Sequence, residues 1–193
     1  MEQKSTKQKI LLEALKLFAK EGYEAVSVEQ IAKAVGIKAP SLYKHYKSKQ
    51  DIFDSILRRM EERDREQAAA CDVPEDTIEV MPEAYEDTSL DALIAFSKTM
   101  FRYWTEDEFA SLMRKMLTVE QYRSEETNQL YHQYLGAGPL SYVADLLSSQ
   151  EKALLLYSPM HLLYSVYDSA EDKMAVLALL DEHLERCKHE LSA

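Results

Sequence analysis

The chain has 193 residues, 46% of them apolar, and only four glycines and five prolines. That is enough apolar material for a real core and too few breakers for a turn-rich β fold, so an all-α architecture is expected. The net charge of −11 argues at first against a nucleic-acid partner. Its distribution argues the other way. Residues 1–60 hold twelve Lys/Arg against seven Asp/Glu, a surplus of +5, and the remaining 133 residues hold eleven against twenty-seven, a deficit of 16. A basic head on an acidic body fits local contact with DNA by an otherwise DNA-repelling protein.

Cys71 and Cys187 lie far apart without CxxC spacing, which speaks against a disulfide framework or a zinc knuckle and for a reducing, cytoplasmic setting. No apolar run follows Met1 to Lys7, and no stretch approaches ~18 uncharged apolar residues, so neither a signal peptide nor a membrane partner is expected. No phosphate loop, nucleophile elbow or HExxH motif occurs, and an enzyme is not expected.

In chain order, Ile10, Leu11, Ala14, Leu15 and Phe18 recur at helical spacing, and Gly22 supplies a stop. Ser27 and Gln30 have capping-box spacing and open a short helix bearing Val28, Ile31, Ala32 and Val35, halted at Gly36. Pro40 suits the first turn of the next helix, expected to run through Tyr46. Ser48 and Asp51 form another capping pair, before a long helix with Ile52, Phe53, Ile56, Leu57 and Met60 that ends near Ala70. Two short helices joined by a Gly-containing turn and pinned by a third make a helix-turn-helix.

The run from Ser27 through Ile31, Ala32, Val35, Gly36 and Ile37, then Pro40, Leu42, Tyr43, His45, Tyr46, Lys49 and Phe53, resembles the signature of the TetR family of transcription regulators. The resemblance covers about the first quarter of the chain. It implies a helix-turn-helix DNA-binding domain over residues 1–48. A helical effector-binding and dimerisation domain would fill 49–193. By the same resemblance, Ser27, Tyr43, His45 and Lys49 grip the DNA backbone, and Ala39, Pro40, Ser41 and Lys44 face the major groove. Lys38, Lys44, Lys47 and Lys49 add cations for phosphate, which the chemistry supports independently. Tyr46 is assigned to the core. Two positions depart from the family. Glu29 stands where many members carry a base-reading cation, and Lys38 where many carry a capping Ser or Thr.

Beyond Ala70, the acidic stretch with Pro74 and Pro82 reads as a loop. Helices are then expected from Thr88 or Ser89 to Trp104, from Glu106 to Tyr122, from Ser124 to Leu135 and from Leu140 to Leu147. A further helix from Ser148 to Asp168 is apolar on nearly every side, with Pro159 kinking or breaking it. Ser169 and Asp172 are expected to cap the last helix. Its stripe is Leu177, Leu180, Leu184, Cys187 and Leu191, with Val176 and Leu179 as a second edge.

Helices apolar all round need more than one cover. In the TetR family the last two helices pair with their mates, so Leu156, Leu163, Tyr167, Leu177, Leu180 and Leu184 are the expected homodimer contacts. Met100, Phe101, Trp104, Met113, Met116, Tyr131, Tyr134, His161 and Tyr164 are candidates for a ligand pocket with hydroxyl handles, against the plainer reading that they are core. The acidic body favours a cationic or neutral ligand. His183 and Cys187, four apart, have metal-ligand spacing but no third ligand; an interface histidine and a buried thiol fit better, and no cofactor is expected. The expected function is a repressor on double-stranded operator DNA, released by a small-molecule effector. The alternative is a helix-turn-helix regulator without such an effector, controlled by a protein partner or by abundance.

Overall fold

The computed structural model describes residues 5–70 and 89–192. Cys71 and the acidic segment with Pro74 and Pro82 lie outside them. Among the described residues the architecture is all-helical: an N-terminal helix-turn-helix unit and a larger helical body. The helices are α1 (Thr6–Glu21), α2 (Val28–Val35), α3 (Ala39–Leu42), α4 (Lys49–Ala70) and α5 (Leu90–Glu106). They continue with α6 (Glu108–Glu120), α7 (Glu125–Leu135), α8 (Ala137–Leu147), α9 (Gln150–Ser169) and α10 (Lys173–Leu191). None of these helices is long and apolar enough to cross a membrane.

The N-terminal helices stop and start where their caps dictate. Ser5 and Gln8 close a reciprocal capping box on α1, and Ser27 and Gln30 close another on α2. Gly36 ends α2 in the left-handed conformation, at φ 78° and ψ 27°. Ser48 accepts from the Asp51 N–H at 3.0 Å, and Asp51 reaches back to the Lys47 N–H at 2.8 Å. α3 is shorter than its pattern predicts. After Leu42 the chain tightens into turns, with the His45 N–H on the Leu42 carbonyl at 2.9 Å, because it must reverse within six residues to begin α4. Ile10, Leu15, Phe18, Ile31, Leu42, Ile52 and Ile56 close the small core beneath these helices. Phe18, Tyr23 and Phe53 pack edge and face within it, their centroids 5.1 to 6.3 Å apart.

In the body, α8 begins three residues earlier than expected. Gly136 ends α7 and also starts α8, and Pro139 sits in the first turn, where its missing N–H costs nothing. Ser149 caps α9, and Asp172 alone caps α10, accepting from the Met174 and Ala175 N–H groups. α9 continues across Pro159 without a break. Pro159 cannot donate to the Leu155 carbonyl one turn back. α10 compensates there: the Cys187 thiol points at the Leu155 oxygen at 3.8 Å, and His183 Nε2 meets the Leu156 oxygen at 3.0 Å. His183 and Cys187 are thus buried inside one protomer, which corrects the placement of His183 at a subunit interface.

Helix α6 ties the two units together. It packs along α1, and each of its ends is fastened to the N-terminal helices. At its start, Asp107 Oδ1 caps the Phe109 and Ala110 N–H groups while Oδ2 pairs with Arg63 of α4 at 2.6 Å. At its end, the buried Glu120 carboxylate accepts from the Tyr23 N–H at 2.8 Å and pairs with Arg123 at 3.3 Å.

Gly22 and Gly36 carry different constraints. Both have positive φ, but a Cβ at Gly36 meets open space, whereas one at Gly22 lies 2.5 Å from an Arg123 nitrogen and 2.9 Å from Glu120 Oε1. Gly36→Ala should therefore cost about 1 kcal/mol, the backbone term alone. Gly22→Ala should cost clearly more and loosen the contact between α1 and α6. Paired denaturant melts check the order, which must not invert.

Candidate nucleic-acid interface and effector cleft

The turn before α3, α3 itself and the turns that follow it project an exposed row of polar and basic side chains. Lys38, Pro40, Tyr43, Lys44, His45 and Lys47 are all exposed, and Ala39 and Ser41 are half-buried beside them. Lys38 makes no side-chain cap on α3, since lysine has no acceptor to offer; its ammonium is left to solvent. Ser27, on the capping box of α2, is half-buried with its hydroxyl oxygen on the Gln30 N–H at 3.2 Å.

Two residues behave differently from the row. Tyr46 is 2% exposed and donates its hydroxyl to the Lys7 carbonyl at 3.2 Å, which places it in the core as expected. Burial, helped by Asp51, pushes its phenol up to about 12, so it stays a neutral donor. Lys49 is committed to the turn after α1. Its ammonium donates to the Tyr23 carbonyl at 2.8 Å and lies 4.1 Å from the Tyr23 ring centroid. One donor of Lys49, expected to grip the DNA backbone, is thus used within the protein.

The body contains a cleft of about 100 Å³ between α6, α7 and α9, lined by Arg114, Thr118, Tyr131, Leu135, His161, Tyr164 and Ser165. Of the nine candidate pocket residues, Tyr131, His161 and Tyr164 line it. Phe101 backs it, stacked on Tyr164 with centroids 5.0 Å apart and planes 10° from parallel. Met113 and Met116 are fully buried core and do not line the cleft, and neither do the part-buried Met100 and Tyr134. Trp104 is one hydrogen bond away: its carbonyl accepts from Arg114 Nε at 3.0 Å, and its ring packs against Tyr134.

Arg114 was not legible as a site residue from periodicity alone, yet it is 5% exposed and anchors the cleft. Its Nη2 donates to Asp168 at 2.8 Å, and Lys115 shares the same carboxylate oxygen at 3.2 Å. The signal was a cation on the buried stripe of α6, in register with Ala110 and Leu117. Glu120 sits on the same helix in register with Met113 and Met116.

His161 fills one wall, its ring 6.3 Å from each of Tyr131, Tyr157 and Tyr164 and its Nε2 3.2 Å from the Tyr131 hydroxyl. The outer edge of the ring remains exposed.

The expected dimer contacts lie mostly inside one protomer. Leu156, Tyr167, Leu177, Leu180 and Leu184 are buried within the protomer, between 0% and 9% exposed, and Leu163 is half-buried. All but Leu163 help hold α9 and α10 on the body and offer little area to a partner. The outward faces are others. Of the nine large exposed hydrophobics among the described residues, six lie on these two helices: Leu154, Leu155, Leu162, Val166, Met174 and Leu179.

Residues 10–56 match the model of the bacterial regulatory proteins, tetR family. Over that stretch the chain is similar to the N-terminal region of the TetR family. Among curated relatives it is similar to the Staphylococcus aureus IcaR, described as a negative transcriptional regulator of the biofilm operon icaADBC, with 40% identity over 52 residues. It is also similar to the Shigella flexneri transcriptional regulator AcrR, with 42% identity over 55 residues. These matches take in 27% and 28% of this chain and only 28% and 26% of the relatives, all of it in the N-terminal region. Solved structures match along nearly the whole length. The fatty acid degradation regulator FadR of Bacillus halodurans superposes with a TM-score of 0.61 at 15% identity, over 97% of this chain and 96% of that one. Mycobacterium smegmatis AmtR superposes with a TM-score of 0.61 at 17% identity, over 95% and 88%. At such identities the TetR-type fold is shared, and the body's chemistry is this chain's own.

One property of the cleft is directly measurable. Burial holds the His161 imidazole below its ordinary 6.5, opposed by a hydrogen bond to the Leu135 backbone carbonyl and reinforced by Arg114. In an NMR titration His161 should therefore reach its midpoint below pH 6.5. The unfolded chain takes up this proton first, so this group weakens the fold as pH falls from 6.5 through the folded midpoint. A midpoint above 6.5 contradicts the assigned environment.

Proposed function

We propose that this chain is a ligand-responsive transcription repressor of the TetR family that binds operator DNA as a homodimer. The observation that carries this reading is the exposed row on the turn before α3, on α3 itself and on the turns that follow it, within the stretch that matches the family. Pro40 and Lys44, with the half-buried Ala39 and Ser41, present a slender surface to the major groove. Lys38, Tyr43, His45, Lys47 and Ser27 supply cations and hydroxyls for flanking phosphates. Lys49 acts one step back, by holding the Tyr23 turn on which α1 ends.

The second copy is proposed to cover α9 and α10. A single helix-turn-helix reads only a half-site, and two recognition segments must lie about 34–36 Å apart to enter successive grooves. An apolar face concentrated on two adjacent helices is the kind of surface that a partner subunit covers.

The effector is proposed to enter the cleft, and α6 to carry its effect. Arg114 and Thr118 line the cleft from the middle of α6, whose ends hold Arg63 through Asp107 and Tyr23 through Glu120. Met113, one of the candidate pocket residues, is sealed in the core, so the ligand is proposed to act through α6 and not by a direct push on α4. A ligand releases DNA only to the extent that it prefers the DNA-incompetent state.

An operator selected from a random duplex pool tests the DNA surface. Lys44→Ala and Tyr43→Phe should each weaken binding about 10-fold or more while leaving helicity intact, and Lys47→Ala should reduce the salt slope by about one unit. Unchanged affinity in all three discards the surface.

Sedimentation tests the dimer. The wild-type chain at micromolar concentration should run at twice its monomer mass. Leu162→Glu with Leu179→Glu should shift it to a folded monomer with reduced operator affinity, because two linked heads bind at high effective concentration. A wild-type monomer removes that part of the reading.

A further inference from the structure

We infer that the cleft between α6, α7 and α9 is a site for a small organic monocarboxylate, no larger than a single six-membered ring, whose carboxylate pairs with Arg114. The inference deepens the effector reading given above and rests on it only for the consequence, not for the binding.

The charge balance points to an anion. Arg114 is the one charged side chain that lines the cleft, and the carboxylate it pairs with, Asp168, is shared with the half-exposed Lys115, so Arg114 is neutralised only in part. His161, kept neutral above the acid range by its surroundings, adds no counter-charge. The guanidinium has five N–H donors. Nε is used on Trp104 and Nη2 on Asp168, which leaves Nη1 beside the cleft in a setting fixed by burial. A preorganised, desolvated guanidinium with donors to spare is suited to a carboxylate.

A cation is poorly served by the same walls. The rings invite cation–π contact. However, Tyr164 already has Phe101 stacked at 5.0 Å and the Arg114 guanidinium 5.1 Å from its centroid, so an incoming cation meets Arg114 first. This reverses the preference for a cationic or neutral ligand drawn from overall charge, because a cavity responds to the groups that line it and not to the distant surface.

Size and shape set the rest. Apolar cavities of roughly 150 Å³ hold one benzene ring. The cleft has about 100 Å³ and is open at the rim beside His161 and Ser165, so a single flat ring fits with its edge outward. The Tyr131 and Ser165 hydroxyls stand at that rim to receive a carboxylate oxygen or an edge polar group.

Calorimetric titration of the full chain with benzoate, benzamidine and benzamide tests the inference. Benzoate should bind saturably, with the isosteric cation benzamidine at least 10-fold weaker and neutral benzamide between them. Arg114→Gln should lower benzoate affinity about 10-fold or more, the loss expected for a buried charged hydrogen bond. Should that variant unfold for want of the Asp168 pair, Ser165→Phe plugs the mouth from the surface and should abolish binding. Benzamidine binding as tightly as benzoate overturns the inference, as does benzoate binding that survives Ser165→Phe. So does the absence of saturation by about 10 mM, a level at which any useful pairing is visible. Operator affinity measured in parallel separates the two claims. Benzoate that binds through Arg114 without weakening the operator complex upholds the ligand class and counts against the cleft as the effector site.

Discussion

A carboxylate cannot be buried without partners, and Glu120 is buried at the seam between the N-terminal helices and the body. Its partners are the backbone N–H of Tyr23 and the side chain of Arg123, so the turn after α1 must dock on the last turn of α6 for the acid to be tolerated. Gly22 is the residue that allows it: any side chain there would occupy the space taken by Arg123 and Glu120. The turn held in this way carries Tyr23, and Tyr23 carries Lys49 and Gln50 at the start of α4. One ionised group therefore fixes how α1, α4 and α6 meet, and the reading head inherits its orientation from that junction.

The same helix is fastened at its other end by a second carboxylate. Asp107 uses one oxygen to cap α6 and the other to hold Arg63, so the cap and the inter-helix tie cannot be separated. With both ends of α6 anchored on the N-terminal unit, any force applied near Arg114 and Thr118 is delivered to α1 and α4 together. Packed elements respond to such a force by shifting between discrete arrangements and not by bending smoothly. The proposed path from cleft to DNA is accordingly a displacement of α6, and α4 follows through Arg63.

Much of the fold was legible because caps and apolar stripes are local. Ser27 with Gln30, Gly36, Pro40 and Ser48 with Asp51 each announced an element boundary through chemistry confined to four residues. The reach of α3 was not legible, since its early end is set by the need to reverse into α4 and by the burial of Tyr46. The double use of Gly136 to Pro139 was missed for a similar reason: the signals that stop one helix are those that start another. The site was harder. An apolar residue on a helix predicts burial but not the neighbour that buries it, so Leu156, Leu177 and Leu184 could not be told from residues on the outward face. Met113 and Met116 were candidates for the pocket with core as the plainer reading, and the packing places them in the core. Charged residues on apolar stripes carried the better information, and Arg114 and Glu120 proved to be the groups on which cleft and junction are built.

α9 brings the proposed cleft and the proposed subunit contact onto one helix. Tyr164 faces the interior, His161 and Ser165 stand at the rim of the cleft, and Leu154, Leu162 and Val166 continue around the exposed side. At 100° per residue, His161, Leu154 and Ser165 fall within one narrow arc, with Leu162 and Val166 beginning beside it. A second copy seated on the apolar arc therefore comes close to the mouth of the cleft. A ligand at the rim and a partner on α9 would compete for the same water-exposed edge of His161, or share it. In the proposed dimer, occupancy of the cleft and the angle between subunits would be linked through a single helix, whose Leu155 and Leu156 carbonyls before Pro159 meet Cys187 and His183 of α10. In that proposed assembly the spacing of the two reading heads would depend on two elements that both touch the cleft: α6, which sets each head on its own body, and α9, which would set one body on the other.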